Sequence, residues 1–213
     1  MRHMRDVSGL KKKLHAMSRE QLEKLVEDSI RGDDVSRIIK TSHATREEWE
    51  DTEYVAGIVR ESVERASDRY NGITYRATSD AIDGARDVLD HAEEFKIAKP
   101  RAATICCQAV IEVLSPILMY ADDSNGDISG AICEAFELLE DMSLHDRNGK
   151  DDALRKEILE HALTEWPQKR YEGWDCPSMF LELAASIVMS PDEEKRFERA
   201  LAKYVAPRAD ASS

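Results

Sequence analysis

The chain has 213 residues and a mass of 24.1 kDa, which is enough to bury a sizeable hydrophobic core without disulfide or metal support. Its formal net charge is -13, and charged residues make up 34% of it. Because this charge repels nucleic-acid backbones and anionic lipid surfaces, we expect neither nucleic acid nor a membrane as a partner.

The chain contains four cysteines, Cys106, Cys107, Cys133 and Cys176. Their number and spacing differ from those of a disulfide framework, which favours reduced thiols. The N-terminal sequence has no apolar segment behind its charges, so it lacks the pattern of a secretory signal. Together these features predict a cytoplasmic protein.

The first two clear helix starts follow a basic segment. Residues 1–17 carry five basic residues against one acid and include a predicted short helix. Ser18 and Gln21 then match a capping box, in which each side chain accepts a hydrogen bond from the other residue's backbone N–H. Thr45 and Glu48 match a second capping box, which is predicted to open a longer helix.

Glycine and proline mark the next helix boundaries. Asn71-Gly72 is predicted to end the longer helix. A further helix is predicted over residues 75–95, with Gly84 as its weak point because glycine disfavours helical backbone. Its polar face is acidic and could bind a basic peptide, although a solvated surface is the commoner role of such a face. Pro116 should kink or split the apolar helix that comes next.

The most apolar part of the chain is residues 102–121, where the polar residues recur every three to four positions as one narrow stripe. They are Thr104, Gln108, Glu112 and Ser115. A helix with so narrow a polar stripe is expected to be buried on most of its circumference. Residues 128–142 show a second helical pattern with one apolar face, and the polar loop 122–127 joins the two. We interpret them as a helical hairpin at the centre of the fold.

Three more helical patterns follow, around residues 154–166, 180–188 and 197–204. Ser190 and Glu193 match a third capping box that starts the last of these helices. No run of alternating apolar residues competes with the helical patterns anywhere in the chain, so we predict an all-α fold of about eight to ten helices.

Short connections between helices favour stacked antiparallel hairpins, arranged as an irregular TPR-like solenoid or a bundle. The predicted domains are a basic arm over 1–17, a single helical-repeat domain over 18–206 and a disordered tail over 207–213.

Three segments carry a family resemblance: Leu-Lys-Lys-Lys-Leu-His-Ala-Met-Ser-Arg-Glu-Gln-Leu at 10–22, residues 75–89, and Asp-Asp-Ser-Asn-Gly-Asp at 122–127. In these segments, and more weakly as far as Phe197, the chain resembles an uncharacterised all-helical bacterial family whose members occur alone or beside SWIM-type zinc fingers. The zinc-finger pattern itself, Cys-x-Cys with Cys-x-His, is absent from this sequence. The resemblance implies a solenoid-like helical domain and no activity.

The acidic loop offers a possible cation site, because hard ions bind clustered carboxylate and amide oxygens. The candidate ligands are Asp122, Asp123 and Asp127. When the loop is aligned as an EF-hand, however, Ala121 and Ile132 occupy the first and last ligand positions, where carboxylates are required. The favoured interpretation is a turn in which Gly126 is left-handed and Asp127 caps the next helix.

An irregular stretch between two of the predicted C-terminal helices is rich in aromatic residues. Its candidate partner-binding residues are Trp166, Arg170, Tyr171 and Trp174. Aromatic residues and arginine are favoured at interface hot spots, and loops on a helical scaffold often carry binding. Burial of the two tryptophans as a plug of the hairpin core is an equally good interpretation.

The histidines and cysteines lack the spacing of a zinc site, and catalytic nucleophile motifs and phosphate-binding glycine loops are missing. We therefore predict no enzyme activity and no cofactor. The predicted function is a cytoplasmic helical scaffold that binds another protein or its own copy. The alternative is a metal-dependent hydrolase or metal sensor that uses the loop at 122–127.

Overall fold

The computed structural model describes residues 13–30, 35–42, 44–145, 152–164 and 176–204. Within these ranges the chain is helical between its turns and contains no β-strand, which confirms the all-α prediction. The predicted tail over 207–213 and most of the predicted arm over 1–17 lie outside the described residues.

Eleven α-helices and one 3-10 helix have their bounds within the described ranges. They are α1 (Arg19–Ile30), α2 (Val35–Ser42), α3 (Arg46–Trp49), α4 (Thr52–Tyr70), α5 (Thr78–Ala81), α6 (Asp83–Phe95), α7 (Pro100–Leu114), the 3-10 helix (Ser115–Met119), α8 (Asp127–His145), α9 (Ala153–Leu163), α10 (Cys176–Ile187) and α11 (Pro191–Tyr204). The number is higher than predicted because two predicted helices are each divided in two.

The first of these divisions follows the predicted capping box. Thr45 and Glu48 form the box, but it opens the four-residue helix α3. The long helix α4 begins afterwards, where the Asp51 carboxylate accepts hydrogen bonds from two backbone N–H groups of the first turn. The helix predicted over 75–95 is likewise divided, into α5 and α6, at Ile82. Neither division falls on a glycine or a proline. The helical pattern of the sequence therefore continues across each division and does not predict it.

Helix α7 lies at the centre of the fold and packs against α4, α6 and α8. Ten of its 15 residues are buried, as its narrow polar stripe predicted. The hydroxyl of Thr104 lies within this buried surface and donates a hydrogen bond to the carbonyl of Pro100. Helix α8 buries its predicted apolar face, which confirms the central hairpin. The α-helical part of α7 stops just before Pro116, and the chain continues as the 3-10 helix, as the proline predicted.

Within the described residues, Pro100–Met119 is the one helical stretch that has the length and composition of a membrane span. In this fold 67% of its apolar segment is buried inside the protein. Such burial is expected for a core helix, as its narrow polar stripe predicts.

Helices α4 and α6 cross closely at Gly84. A Cβ atom at this position would lie 2.6 Å from the backbone oxygen of Ile58 and 2.6 Å from the hydroxyl oxygen of Ser62, both on α4. Glycine is therefore required at the crossing, and the predicted weak point of the helix is a site of close packing.

The side chain of Arg155, which is only 1% exposed, joins the three C-terminal helices. Its guanidinium donates to the carbonyl of Ile187 at the end of α10, at 2.7 Å, and to the carboxylates of Asp152 and Glu193. Glu193 also forms the predicted capping box with Ser190 at the start of α11. Because the acceptors come from separate parts of the chain, one buried guanidinium fixes how α9, α10 and α11 pack.

Candidate functional site

The predicted partner-binding residues are Trp166, Arg170, Tyr171 and Trp174. All four lie outside the described residues, between the end of α9 and the start of α10. Their role in binding a partner therefore stays a prediction.

The polar loop before α8 is built around the start of that helix. The Asp123 carboxylate accepts hydrogen bonds from the backbone N–H groups of Ile128, at 2.8 Å, and Ser129, at 2.9 Å. Gly126 has a φ of +76°, the left-handed conformation predicted for it. The turn brings the Asp123 carboxylate over the N-terminus of α8, so Asp123 caps this helix. The prediction that Asp127 caps it is wrong.

Asp127 ties the loop to Thr78, the first residue of α5. Its carboxylate accepts a hydrogen bond from the side-chain nitrogen of Asn125, at 2.6 Å, and lies 3.1 Å from the hydroxyl of Thr78. Thr78 is fully buried, and the same Asn125 nitrogen donates to its hydroxyl at 2.9 Å. The backbone N–H of Asp122 donates to the carbonyl of Ile73, also at 2.9 Å. Side-chain and backbone bonds therefore hold the two segments together.

The three loop carboxylates bond to separate groups of the protein. Asp123 faces the backbone of α8, and Asp127 faces Asn125 and Thr78. Asp122 accepts a hydrogen bond from the hydroxyl of Ser124 at 2.8 Å. Over the described ranges, no group of three or more His, Cys, Asp and Glu side chains is arranged to hold a metal ion. The hydrogen bonds favour the turn over the cation site.

Three large apolar side chains are exposed beside this loop. Met119 ends the 3-10 helix, Tyr120 follows it, and Tyr75 lies in the turn before α5. Their exposed fractions are 54%, 69% and 54%, respectively. The backbone bond between Asp122 and Ile73 places the two segments side by side. We call Tyr75, Met119 and Tyr120 the tyrosine patch.

The sequence pattern does not identify the tyrosine patch, because it assigns Met119 and Tyr120 to one apolar helix over 102–121. The 3-10 helix that begins at Ser115 changes the direction in which successive side chains point, so these two residues leave the buried surface. Pro116 could have indicated this change of direction, since a proline deep in a helical pattern marks where the α-helix ends.

Two exposed charged residues lie close to the tyrosine patch in sequence, Arg76 directly after Tyr75 and Asp122 two residues after Tyr120. Arg76 is exposed and, among the described residues, has neither a hydrogen-bond nor an ion-pair partner. Asp122 is also exposed, and within the same ranges its carboxylate bonds only to the hydroxyl of Ser124. Asp80, four residues after Arg76, is already paired with Arg69 at 2.6 Å. Arg76 and Asp122 are therefore available to a partner.

The acidic face of α6 is partly used for packing. Arg37 of α2 forms an ion pair with Asp87, and burial raises the pKa of Asp87 against the opposing effect of that guanidinium. Just after α6, the ammonium nitrogen of Lys96 lies 2.6 Å from a carboxylate oxygen of Glu93 and 3.0 Å from a carboxylate oxygen of Asp141 on α8. Part of the face predicted to be solvated therefore joins α6 to its neighbours.

The described cysteines include no thiol activated as a nucleophile. Burial raises the pKa of Cys106 to about 12 and that of Cys107 well above its ordinary value, so both act as small apolar residues of the core. Cys133 is exposed on α8, where partial burial of its thiol and the charge of Glu137 also raise its pKa. A thiolate is disfavoured at all three positions.

Comparisons of the chain with family models, with curated proteins and with solved structures gave no match. The resemblance to an all-helical bacterial family stays a prediction.

Proposed function

We propose that this chain is a non-enzymatic helical scaffold that binds a protein partner through the tyrosine patch. The observation that carries the proposal is the exposure of three large apolar side chains on two segments that hydrogen bonds hold together. From the sequence pattern we also propose a TPR-like, solenoid-like arrangement of stacked hairpins and a cytoplasmic location.

The composition and support of the tyrosine patch suit an interface. Tyrosine and methionine are enriched at the buried centre of protein interfaces. A tyrosine side chain has few rotatable bonds, so ordering it on binding has a small entropic cost. The bonds among Asn125, Asp127 and Thr78 position both segments before a partner arrives, which favours affinity. Single exposed apolar residues are ordinary, but a group of three marks a candidate contact surface.

The bonds made by two of the loop carboxylates, and the burial of two thiols, support a scaffold over a metal-dependent hydrolase or metal sensor. Asp123 caps α8 and Asp127 joins the loop to Thr78, so both carboxylates are engaged in holding the structure. The buried thiols of Cys106 and Cys107 stay protonated.

Photo-crosslinking in a native lysate tests the proposal. A photoreactive benzoylphenylalanine replaces Tyr120 in one protein and Ile97 in a matched control, since Ile97 is 81% exposed in the turn after α6, away from the patch. We expect a discrete crosslinked product from position 120 in clear excess over position 97. Equal yields from the two positions, or no product from position 120, would contradict the proposal.

A further inference from the structure

We propose that Lys13, α1 and α2 form an electrostatic strap, which opens as a unit while the helices from α3 onward stay folded. We call those later helices the body. The strap is separate from the tyrosine patch, because the ion pairs that hold it involve no residue of the patch. Two observations carry the proposal: the charge pattern of these ion pairs, and the small number of buried side chains on the strap.

Three ion pairs join the strap to the body, and in each of them the strap supplies the cation. They are Lys13 with Glu48 on α3, Lys40 with Glu61 on α4, and Arg37 with Asp87 on α6. Because all three pairs have the same polarity, the strap is a basic surface that lies on an acidic one. Dissolved salt screens such pairs, which lie near the surface, and so should weaken all three together.

Few buried side chains support the ion pairs of the strap. None of the described side chains of α1 is buried, and Val26 is 58% exposed. On α2 the described side chains include two that are buried, Ile39 and Thr41. The core helix α7, by contrast, buries ten of its 15 residues. Because segments with few buried apolar contacts open locally at low free-energy cost, the strap should open far more often than α7.

The contacts of Tyr54 on α4 join the two ends of the strap. Its hydroxyl accepts a hydrogen bond from the ammonium of Lys13 at 2.8 Å and donates one to the backbone carbonyl of Lys40 at 3.1 Å. Lys13 and α2 therefore share one anchor on the body, so that release of one weakens the hold on the other. This shared anchor is the reason to expect opening as a unit.

The ion pair on α6 holds the strap only weakly. Burial raises the pKa of Asp87, although the guanidinium of Arg37 acts in the opposite direction. The pair therefore offsets only part of the cost of burying the carboxylate. Opening of the strap returns this carboxylate to water, which lowers the cost of opening.

Hydrogen exchange of the purified full chain, followed by mass spectrometry, tests the proposal. At low salt, the amides of α2 should exchange together and at least about 100-fold faster than those of α7. Raising the salt concentration from about 0.02 M to about 0.5 M screens the ion pairs and should speed the exchange of α2 at least about fivefold. The exchange of α7 should change less than about twofold, because its contacts are apolar.

Charge variants of the body separate opening of the strap from fraying of a short helix. Glu61→Lys places a like charge opposite Lys40 and should speed the exchange of α2 at least about tenfold. Glu53→Lys is the matched control, because its partner Arg60 lies on the same helix α4 and the exchange of α2 should stay unchanged. The double variant Lys40→Glu, Glu61→Lys restores the pair with its charges exchanged and should recover the rate of the unmodified chain.

Three results would each overturn the proposal. Exchange of α2 as slow as that of α7 would show that the strap and the body open as one unit. Exchange of α2 that does not respond to salt would show that ion pairs do not hold the strap. A double variant as fast as Glu61→Lys would show that pairing at α4 does not matter. An unchanged α7 rate verifies that each variant still folds, and the salt series on the unmodified chain decides if one does not.

Discussion

The two polar networks of this protein differ in what they do with the apolar surface around them. At Arg155 the charged group is buried, and its bonds close three helices over the C-terminal part of the core. At Asp127 and Thr78 the bonds hold the loop before α8 against the start of α5 and leave the nearby tyrosine patch exposed at the surface. A buried network stabilises packing, whereas a surface network can position side chains for contact. Loss of the first should lower stability, and loss of the patch beside the second should lower binding.

Arg155→Met should have the largest effect on stability. Methionine keeps much of the apolar volume but leaves the Ile187 carbonyl without its side-chain donor and the Glu193 carboxylate without its cationic partner. We expect urea denaturation to show a loss of about 3 kcal/mol in the free energy of unfolding. Lys156→Met is the matched control, since the Lys156 side chain is 60% exposed and lies 3.5 Å from Asp152. Its effect should stay below about 0.5 kcal/mol, and equal losses in the two variants would contradict the role of Arg155.

Asp123→Ala should be the next largest change, because it removes the cap of α8. The loss of both backbone hydrogen bonds should lower the free energy of unfolding by about 1–2 kcal/mol in the same assay. Asp122→Ala removes only the bond from the Ser124 hydroxyl and should cost less than about 0.5 kcal/mol. If Asp122→Ala were the more destabilising variant, the assignment of the cap would be wrong.

The Arg155 network should also make stability depend on pH. Hydrogen bonds from the guanidinium lower the pKa of Asp152 and of Glu193. Each carboxylate therefore stabilises the fold above its unfolded-state pKa of roughly 4, and this contribution is lost as the pH falls through the lower folded-state pKa. From about pH 5 downward, the unmodified protein should lose free energy of unfolding more steeply than Arg155→Met. Parallel profiles would show that the guanidinium does not cause the dependence.

Tyr120→Ser should have the smallest effect on stability. Its side chain is 69% exposed, so the free energy of unfolding should change by less than about 0.5 kcal/mol even though binding is lost. A destabilisation as large as that of Asp123→Ala would mean that Tyr120 serves packing within the chain, and the contrast between the two networks would fail.

The sequence predicts those contacts whose two residues lie within one helical turn of each other along the chain. The three predicted capping boxes, which begin at Ser18, Thr45 and Ser190, all form. Asn71 takes the left-handed conformation that ends α4, as predicted for Asn71-Gly72. Helical periodicity alone is enough for the all-α class, because each helix carries its own apolar face.

The two networks depend on contacts that no local pattern encodes. Glu193 lies 38 residues from Arg155, and Asp127 lies 49 residues from Thr78. A buried arginine looks the same in sequence as one on a solvated helix face until the neighbouring helices are in place. The tyrosine patch likewise depends on how the segment after the 3-10 helix meets the turn before α5.

Hydroxyl-radical footprinting of Met119 and Met189 tests most directly whether the tyrosine patch is a binding surface. Both methionines are 54% exposed in the chain alone, so they should be oxidised at similar rates in dilute purified protein. In a native lysate, a bound partner should lower the oxidation of Met119 several-fold and leave that of Met189 unchanged. Equal oxidation of the two methionines in the lysate would contradict binding at the patch.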